Sequence, residues 1–228
     1  NYLPTQNRME LRLRSALSEN NAAIKITGSK SETNRLLLLK ALFPNISLAN
    51  TSNSDDSEVM QKALNGSDEI VDIHHAGTAM RFLTAYFAVN AGREVVLTGS
   101  SRMQERPIKI LVEALEQLGA VIAYEKEVGY PPIRIKGQKI TASKVNLAAN
   151  VSSQYISALL LIASKLDHGL ELTLEGDITS IPYIKMTLSL LDEIGVKSTF
   201  IDNVITIEKN SKNKISHLFP LFNKIYSQ

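Results

Sequence analysis

The sequence predicts an α/β fold of the α+β kind, and three observations predict it. Runs with helical apolar spacing alternate with short β-branched runs. A small polar turn followed by a helix recurs in kind, though not in letters, along the chain. Hydrophobic residues make up 44% of the 228 positions and charged residues 21%, which supplies a core and argues against wholesale disorder.

The elements follow in chain order. Ala23 to Thr27 reads as a strand, and Asn34 to Phe43 as a helix with Leu36, Leu39, Leu42 and Phe43 on one face. Ser54 to Leu64 reads as a second helix, opened by a Ser-Asp-Asp cap and closed before Asn65-Gly66. Glu94 to Leu97 is a short β-branched run. Arg106 to Leu118 predicts a helix with Pro107 at its first position, an apolar stripe through Ile108, Leu111, Val112, Leu115 and Leu118, and a stop at Gly119. Ser152 to Lys165 is apolar along most of its length and predicts a buried helix. Pro182 to Ile194 repeats the proline start and glycine stop. Val121 to Tyr124, Ile133 to Ile135, Leu170 to Leu174, Ser198 to Ile201 and Val204 to Glu208 read as strands, with Asp202-Asn203 as a hairpin turn.

The recurring turns are Gly28-Ser29-Lys30-Ser31, Ala76-Gly77-Thr78 and Ser152-Ser153-Gln154. A second helix follows each, from Ser54, Pro107 and Pro182, so the expected plan is three strand–helix–strand–helix units in one domain. Each helix start offers unpaired N–H groups and about half a positive charge, and small residues let an anion approach them. Lys30, Arg35, Arg81, Arg102 and Arg106 accompany these turns, and Ser31, Thr78, Ser152, Ser153 and Ser180 add hydroxyls. Such a set suits a phosphorylated, oxygen-rich small molecule. Taken singly, each turn is also explained as a helix cap.

Other chemistries are excluded or unsupported. The chain has no cysteine, which rules out disulfides, thiolate metal sites and a cysteine nucleophile within it. A net charge of +2 implies no nucleic-acid or membrane partner by bulk electrostatics. The longest apolar run, Ala158 to Ala163, is far below the roughly 20 residues that cross a bilayer. With an N-terminus that lacks an apolar signal-like run, a cytoplasmic protein is the expectation. Lys30-Ser31 is not a P-loop, because Ser29 and Ile24 stand where that motif needs glycines. No GxGxxG is present. Adjacent His74 and His75 read as a turn or strand-end pair rather than metal ligands. The lysines after Glu208 read as a solvated face.

The segments GSKSETNRLLLLKAL, SDDSEVMQKAL, AGTAMRFLTAYFA, LTGSSRMQERPIKILVEALEQLGA, VSSQYISALLLIAS and SIPYIKMTLSLL occur in one order across about Ala23 to Ile207. In that order and spacing they resemble the enolpyruvylshikimate-phosphate synthases, specifically the first domain. The resemblance implies a domain of three βαβαββ units, with helices inside and sheets outside. It implies transfer of the enolpyruvyl group of phosphoenolpyruvate to shikimate 3-phosphate, without metal or organic cofactor, in aromatic amino-acid biosynthesis. The substrate hydroxyl adds to the central carbon as the methylene carbon is protonated, and the tetrahedral intermediate then expels phosphate. Inhibitors that mimic phosphoenolpyruvate, such as glyphosate, act on this family.

The resemblance also implies residue roles. Lys30 would contact both substrates and take part in charge neutralisation or proton transfer. Ser31 and Arg35 would hold shikimate 3-phosphate, as would Ser152, Ser153, Ser180 and Tyr183. Gln154 would touch both substrates. Gly77 and Arg102 would face phosphoenolpyruvate, with Thr78 close by. The family usually has Asn at the position of His75 and often Pro at that of Phe82, which is expected to follow the helix carrying Gly77 and to alter inhibitor sensitivity. Residues 1–22 would normally pair with a second domain that supplies the catalytic Asp and Glu, 23–208 would form the first domain, and 209–228 depart from the family pattern. The chain alone is therefore expected to be inactive or nearly so, a non-catalytic binding domain being the alternative reading. The sister enzyme that acts on a UDP-sugar is a further alternative. That enzyme usually carries Lys-Asn, where this chain has Lys30-Ser31.

Overall fold

A computed structural model describes residues 26–209. Seven helices and eight strands occupy the described residues: α1 (Lys30–Leu42), α2 (Asp55–Asn65), β1 (Ile70–Asp72), α3 (Gly77–Val89), β2 (Glu94–Thr98), α4 (Ser101–Gln104), α5 (Lys109–Gln117), β3 (Val121–Tyr124), β4 (Ile133–Lys136), β5 (Lys144–Ala148), α6 (Ser153–Ala163), β6 (Leu170–Glu175), α7 (Ile181–Glu193), β7 (Ser198–Ile201) and β8 (Val204–Ile207).

The strands make two four-stranded sheets of one topology, ordered β1-β2-β4-β3 and β5-β6-β8-β7. In each, the first two strands run parallel and the rest antiparallel. Parallel neighbours need a crossover, and α3 and α6 supply it. Both sheets are thus βαβαββ units. The third predicted unit contributes α1 and α2, and no strand of it lies among the described residues. The expected strand Ala23–Thr27 falls mostly outside them, and its described part, Ile26 and Thr27, is irregular. Residues 1–22 and 210–228 also lie outside the described range.

Strand alternation points one face inward. In β5 the pattern of exposed Lys144, Asn146 and Ala148 with buried Val145 and Leu147 is a clear period of two, which the apolar runs alone do not reveal. Edge strand β5 is met by a side chain: Asn146 N–H donates to Gln117 Oε1 at 3.0 Å, and Gln117 Nε2 donates back to Asn146 O at 3.3 Å. This pairing satisfies edge groups and joins the two units. The β7–β8 turn places Asp202 and Asn203 at φ 45° and 63°, the left-handed pair a two-residue hairpin favours.

The helices lie between the sheets. Every residue of α6 from Tyr155 to Ala163 is buried, as is almost every residue of α3. Such all-round burial explains their lack of a polar face. Helix α1 begins four residues before the predicted Asn34. Ser29 caps it, accepting from Glu32 N–H at 3.5 Å, a Ser-x-x-Glu signal that precedes the apolar spacing. The predicted helix start at Arg106 is also corrected. Pro107 precedes α5 rather than opening it, because its carbonyl accepts Tyr155 Oη at 2.7 Å and Arg81 Nη2 at 3.2 Å, and Ile108 N–H donates to Gly129 O at 2.8 Å. Phe82, expected beyond its helix, lies within α3 and is fully buried.

Leu160 is 0% exposed at the centre of α6. Leu160→Ala should lower the unfolding free energy by about 2–5 kcal/mol, through lost transfer energy and the cavity left behind. Urea melts monitored by circular dichroism measure this, and a loss below about 1 kcal/mol would contradict such packing.

Candidate functional site

The recurring turns meet. Lys30, the first residue of α1, places its Nζ 3.5 Å from Asp56 Oδ2 at the start of α2. His75, just before α3, lies 4.0 Å from Asp55 of that same start. Gln154 in the first turn of α6 donates through Nε2 to Thr78 Oγ1, in the first turn of α3, at 3.1 Å. The beginnings of α1, α2, α3 and α6 therefore gather at one place.

Glycine lets two of these turns come close. A Cβ on Gly28 would run into the backbone of Asn50, so the strap after Ile46 can pass over the start of α1. At Gly77, the first residue of α3, a Cβ would collide with the Arg106 guanidinium. The absent side chain leaves that cation directly over the helix start. Arg106 belongs to the RMQERP segment, yet no sequence feature pairs it with Gly77.

Arginine burial organises the inside. Arg35 is 3% exposed, and three of its donors meet protein acceptors: Nε to Thr187 Oγ1 at 2.8 Å, Nη1 to Ser31 O at 2.7 Å, and Nη2 to Ser157 Oγ at 2.8 Å. The rings of Phe82 and Tyr183 flank the guanidinium at 5.4 and 5.9 Å. Burial pushes Arg35 down to about 10, opposed by Tyr183 and Glu32, so it stays charged at neutral pH. Arg81 is 5% exposed, donates to Gly77 O at 3.1 Å and Pro107 O at 3.2 Å, and is likewise pushed down, chiefly by burial. Its Nε finds no acceptor among the described residues. Among those residues, neither guanidinium has a carboxylate within 4.0 Å.

Three of the helix starts share this lack of negative charge. The first turns of α3, α6 and α7 carry no acidic residue. At α1 Glu32, and at α2 Asp55, Asp56 and Glu58, meet the positive helix end from within the chain. Two buried cations beneath anion-ready turns make a site of positive potential, which Glu32 offsets only in part at Arg35.

The predicted residues fall into two groups. Lys30, Ser31, Arg35, Gly77, Thr78, Gln154 and Tyr183 are joined by the contacts above, with Ser152 and Ser153 capping and opening α6 beside Gln154. The side chain of Ser152 accepts Gln154 N–H at 3.3 Å, so its capping role is real. Ser180 is the residue before α7, and its side chain makes no capping bond. Arg102 is exposed on α4. Among the described residues, no hydrogen bond or ion pair ties the side chain of Ser180 or Arg102 to the others. The residues that reasoning from sequence missed are Ser157, Thr187 and the placement of Arg106. A serine inside the apolar run ISALLLIA was the available signal for the first.

The family described as EPSP synthase (3-phosphoshikimate 1-carboxyvinyltransferase) matches residues 47–218. The 3-phosphoshikimate 1-carboxyvinyltransferase of Bacteroides fragilis (strain YCH46) is 49% identical over 189 residues, which cover 82% of this chain and 46% of that one. That of Marinomonas sp. (strain MWYL1) is 37% identical over 207 residues, 79% of this chain and 48% of its own. The solved EPSP synthase of Acinetobacter baumannii superposes with a TM-score of 0.66 at 19% identity, over 83% of this chain and 47% of that one, a likeness of fold. The chain spans about half the length of the curated relatives it matches.

Gly77→Ala tests the approach of Arg106. The obstructing atoms are the far end of a flexible side chain, and Gly77 has no positive φ, so the fold should survive with a change within about 1 kcal/mol. Arg106 should leave its place over α3, seen in a crystal structure of the variant. An unmoved guanidinium would refute the contact.

Proposed function

Since the chain belongs to the EPSP synthase (3-phosphoshikimate 1-carboxyvinyltransferase) family, we propose that it carries the shikimate 3-phosphate half of a site for enolpyruvyl transfer from phosphoenolpyruvate. The observation that supports this most is electrostatic. Arg35 and Arg81 are buried cations with no carboxylate within 4.0 Å among the described residues, set beneath the starts of α3 and α6, which carry no acid. Burying a charge unpaired costs stability, and an anionic ligand is what would offset it.

The roles are those the family resemblance implies, and the contacts described above support several of them. Ser152 and Ser153 at the start of α6 offer hydroxyls and N–H groups to the phosphate of shikimate 3-phosphate, with Ser180 and Tyr183 reaching from α7. Ser31 and Arg35 fix the same substrate from α1. Lys30 is half exposed at that helix start, a mobile cation able to meet both substrates and to carry a proton. Gly77 and Thr78 admit phosphoenolpyruvate to the start of α3, and Arg102 closes on it from α4. Gln154 touches both substrates through its contact with Thr78. These cations and N–H groups neutralise the charge that grows as the substrate hydroxyl attacks and phosphate departs.

The remaining half of the chemistry lies with a second domain, which the family resemblance endows with the catalytic Asp and Glu. Separated from such a domain, this half would bind and not turn over, because groups that act as a unit lose far more than their share when parted. Phe82 is part of the same reading. Its buried ring lies against Arg35, so exchange for another residue would reach the site, and sensitivity to glyphosate with it, through that cation. A cytoplasmic location accords with such a biosynthetic role.

Calorimetric titration of shikimate 3-phosphate into the chain tests the reading. The parent should bind, and Ser153→Ala should weaken binding about tenfold, the worth of one hydrogen bond to a charged group. No phosphate should be released on adding phosphoenolpyruvate. A demonstrably folded parent that takes up no shikimate 3-phosphate would sink the proposal.

A further inference from the structure

Arg35 is held by two side chains that the roles above leave unused. Ser157 on α6 and Thr187 on α7 are both 0% exposed. Thr187 Oγ1 accepts Arg35 Nε–H at 2.8 Å and lies 3.0 Å from Ser157 Oγ, which accepts Arg35 Nη2–H at 2.8 Å. Thr187 donates its own proton to Tyr183 O at 2.9 Å. One pattern of protons satisfies every bond. Thr187 gives its proton to the Tyr183 carbonyl, Ser157 gives its proton to Thr187, and each hydroxyl oxygen accepts from the guanidinium.

The chemical choice matters. A carboxylate at either position would hold the guanidinium equally well and cancel its charge. Hydroxyls fix its orientation and add no negative charge of their own, which leaves Glu32 as the carboxylate acting on it at longer range. A structural role alone gives no reason to keep that charge, since an apolar set of similar volume packs as well or better. Two further N–H groups of Arg35 have no acceptor among the described residues. Rings of Phe82 and Tyr183 restrict the guanidinium from its sides. Through the Tyr183 carbonyl, the hydroxyl relay also ties Arg35 to the first turn of α7, where Ser180 and Tyr183 stand.

We propose that Ser157 and Thr187 are positioning residues that lock the Arg35 guanidinium, still fully charged, toward the anionic substrate. This rests on the reading of the site as one for shikimate 3-phosphate. Neither hydroxyl meets substrate; both act through Arg35.

The test uses the chain with Thr187→Val, Thr187→Ser and Ser157→Ala, each first shown folded by circular dichroism. Two quantities are read: exchange protection of the Arg35 Nε–H proton by nuclear magnetic resonance, and calorimetric affinity for shikimate 3-phosphate. Thr187→Val should lose the protection and about tenfold in affinity, while Thr187→Ser, which keeps the hydroxyl, restores both. Ser157→Ala should weaken binding in the same direction, and it carries the test if the valine variant does not fold. Undiminished Nε–H protection in Thr187→Val, or lost protection with unchanged affinity, overturns the positioning role. A folded parent with no affinity overturns the ligand reading instead, and the protection data then still decide whether the hydroxyls hold Arg35.

Discussion

A guanidinium taken out of water must find acceptors or it destabilises the fold, and Arg35 finds them on separate elements. Its donors reach α1, α6 and α7, and the ring of Phe82 on α3 lies beside it. The packing of these four helices is thereby tied to one polar point inside an otherwise apolar interior. Helices α3 and α6 can be apolar all round because the sheets and other helices cover them. Such helices could rotate or slide with little loss of burial. Directional bonds to Arg35, with the Gln154–Thr78 bond nearer the helix starts, select one arrangement.

The same arrangement produces the site. Helix starts gather where small residues sit, and the starts of α3, α6 and α7 are free of acid while those of α1 and α2 are not. At α2, Asp56 faces Lys30 and Asp55 faces His75, so the chain supplies its own anions at α1 and α2 and withholds them at α3, α6 and α7. Positive potential that stabilises no part of the fold is then available to a ligand. Internal repetition contributes directly. Two units of one topology each place a crossover helix inside, so the starts of α3 and α6 are brought alongside each other by the same construction.

Much of the fold was legible because local signals carry it. Val121–Tyr124 and Ser198–Ile201 are bounded by turn residues and appear as strands with those ends. Asp202-Asn203 makes the hairpin turn its letters suggest. Where local readings failed, a distant group had intervened. Pro107 fits a helix start by its own geometry, but its carbonyl is claimed by Tyr155 and Arg81, and α5 begins after it. Apolar spacing alone puts the start of α1 at Asn34, whereas the Ser29 cap in the small polar turn sets it at Lys30.

By itself, the sequence determined the order of the elements other than β1, α4 and β5, the small polar turns at three helix starts and the basic residues that accompany them. These depend on neighbours within a turn or two, where side-chain spacing and backbone freedom act directly. Only the tertiary structure decided which cations are buried. Arg35 and Arg81 lie inside while Lys30, Arg102 and Arg106 remain outside, although all five are basic residues near the same turns. It also decided that Arg35 meets Ser157 and Thr187, which stand 122 and 152 residues away along the chain. Helical spacing says which side chains share a face. It does not say which other face they will meet, because that is settled by how all the helices and sheets pack at once.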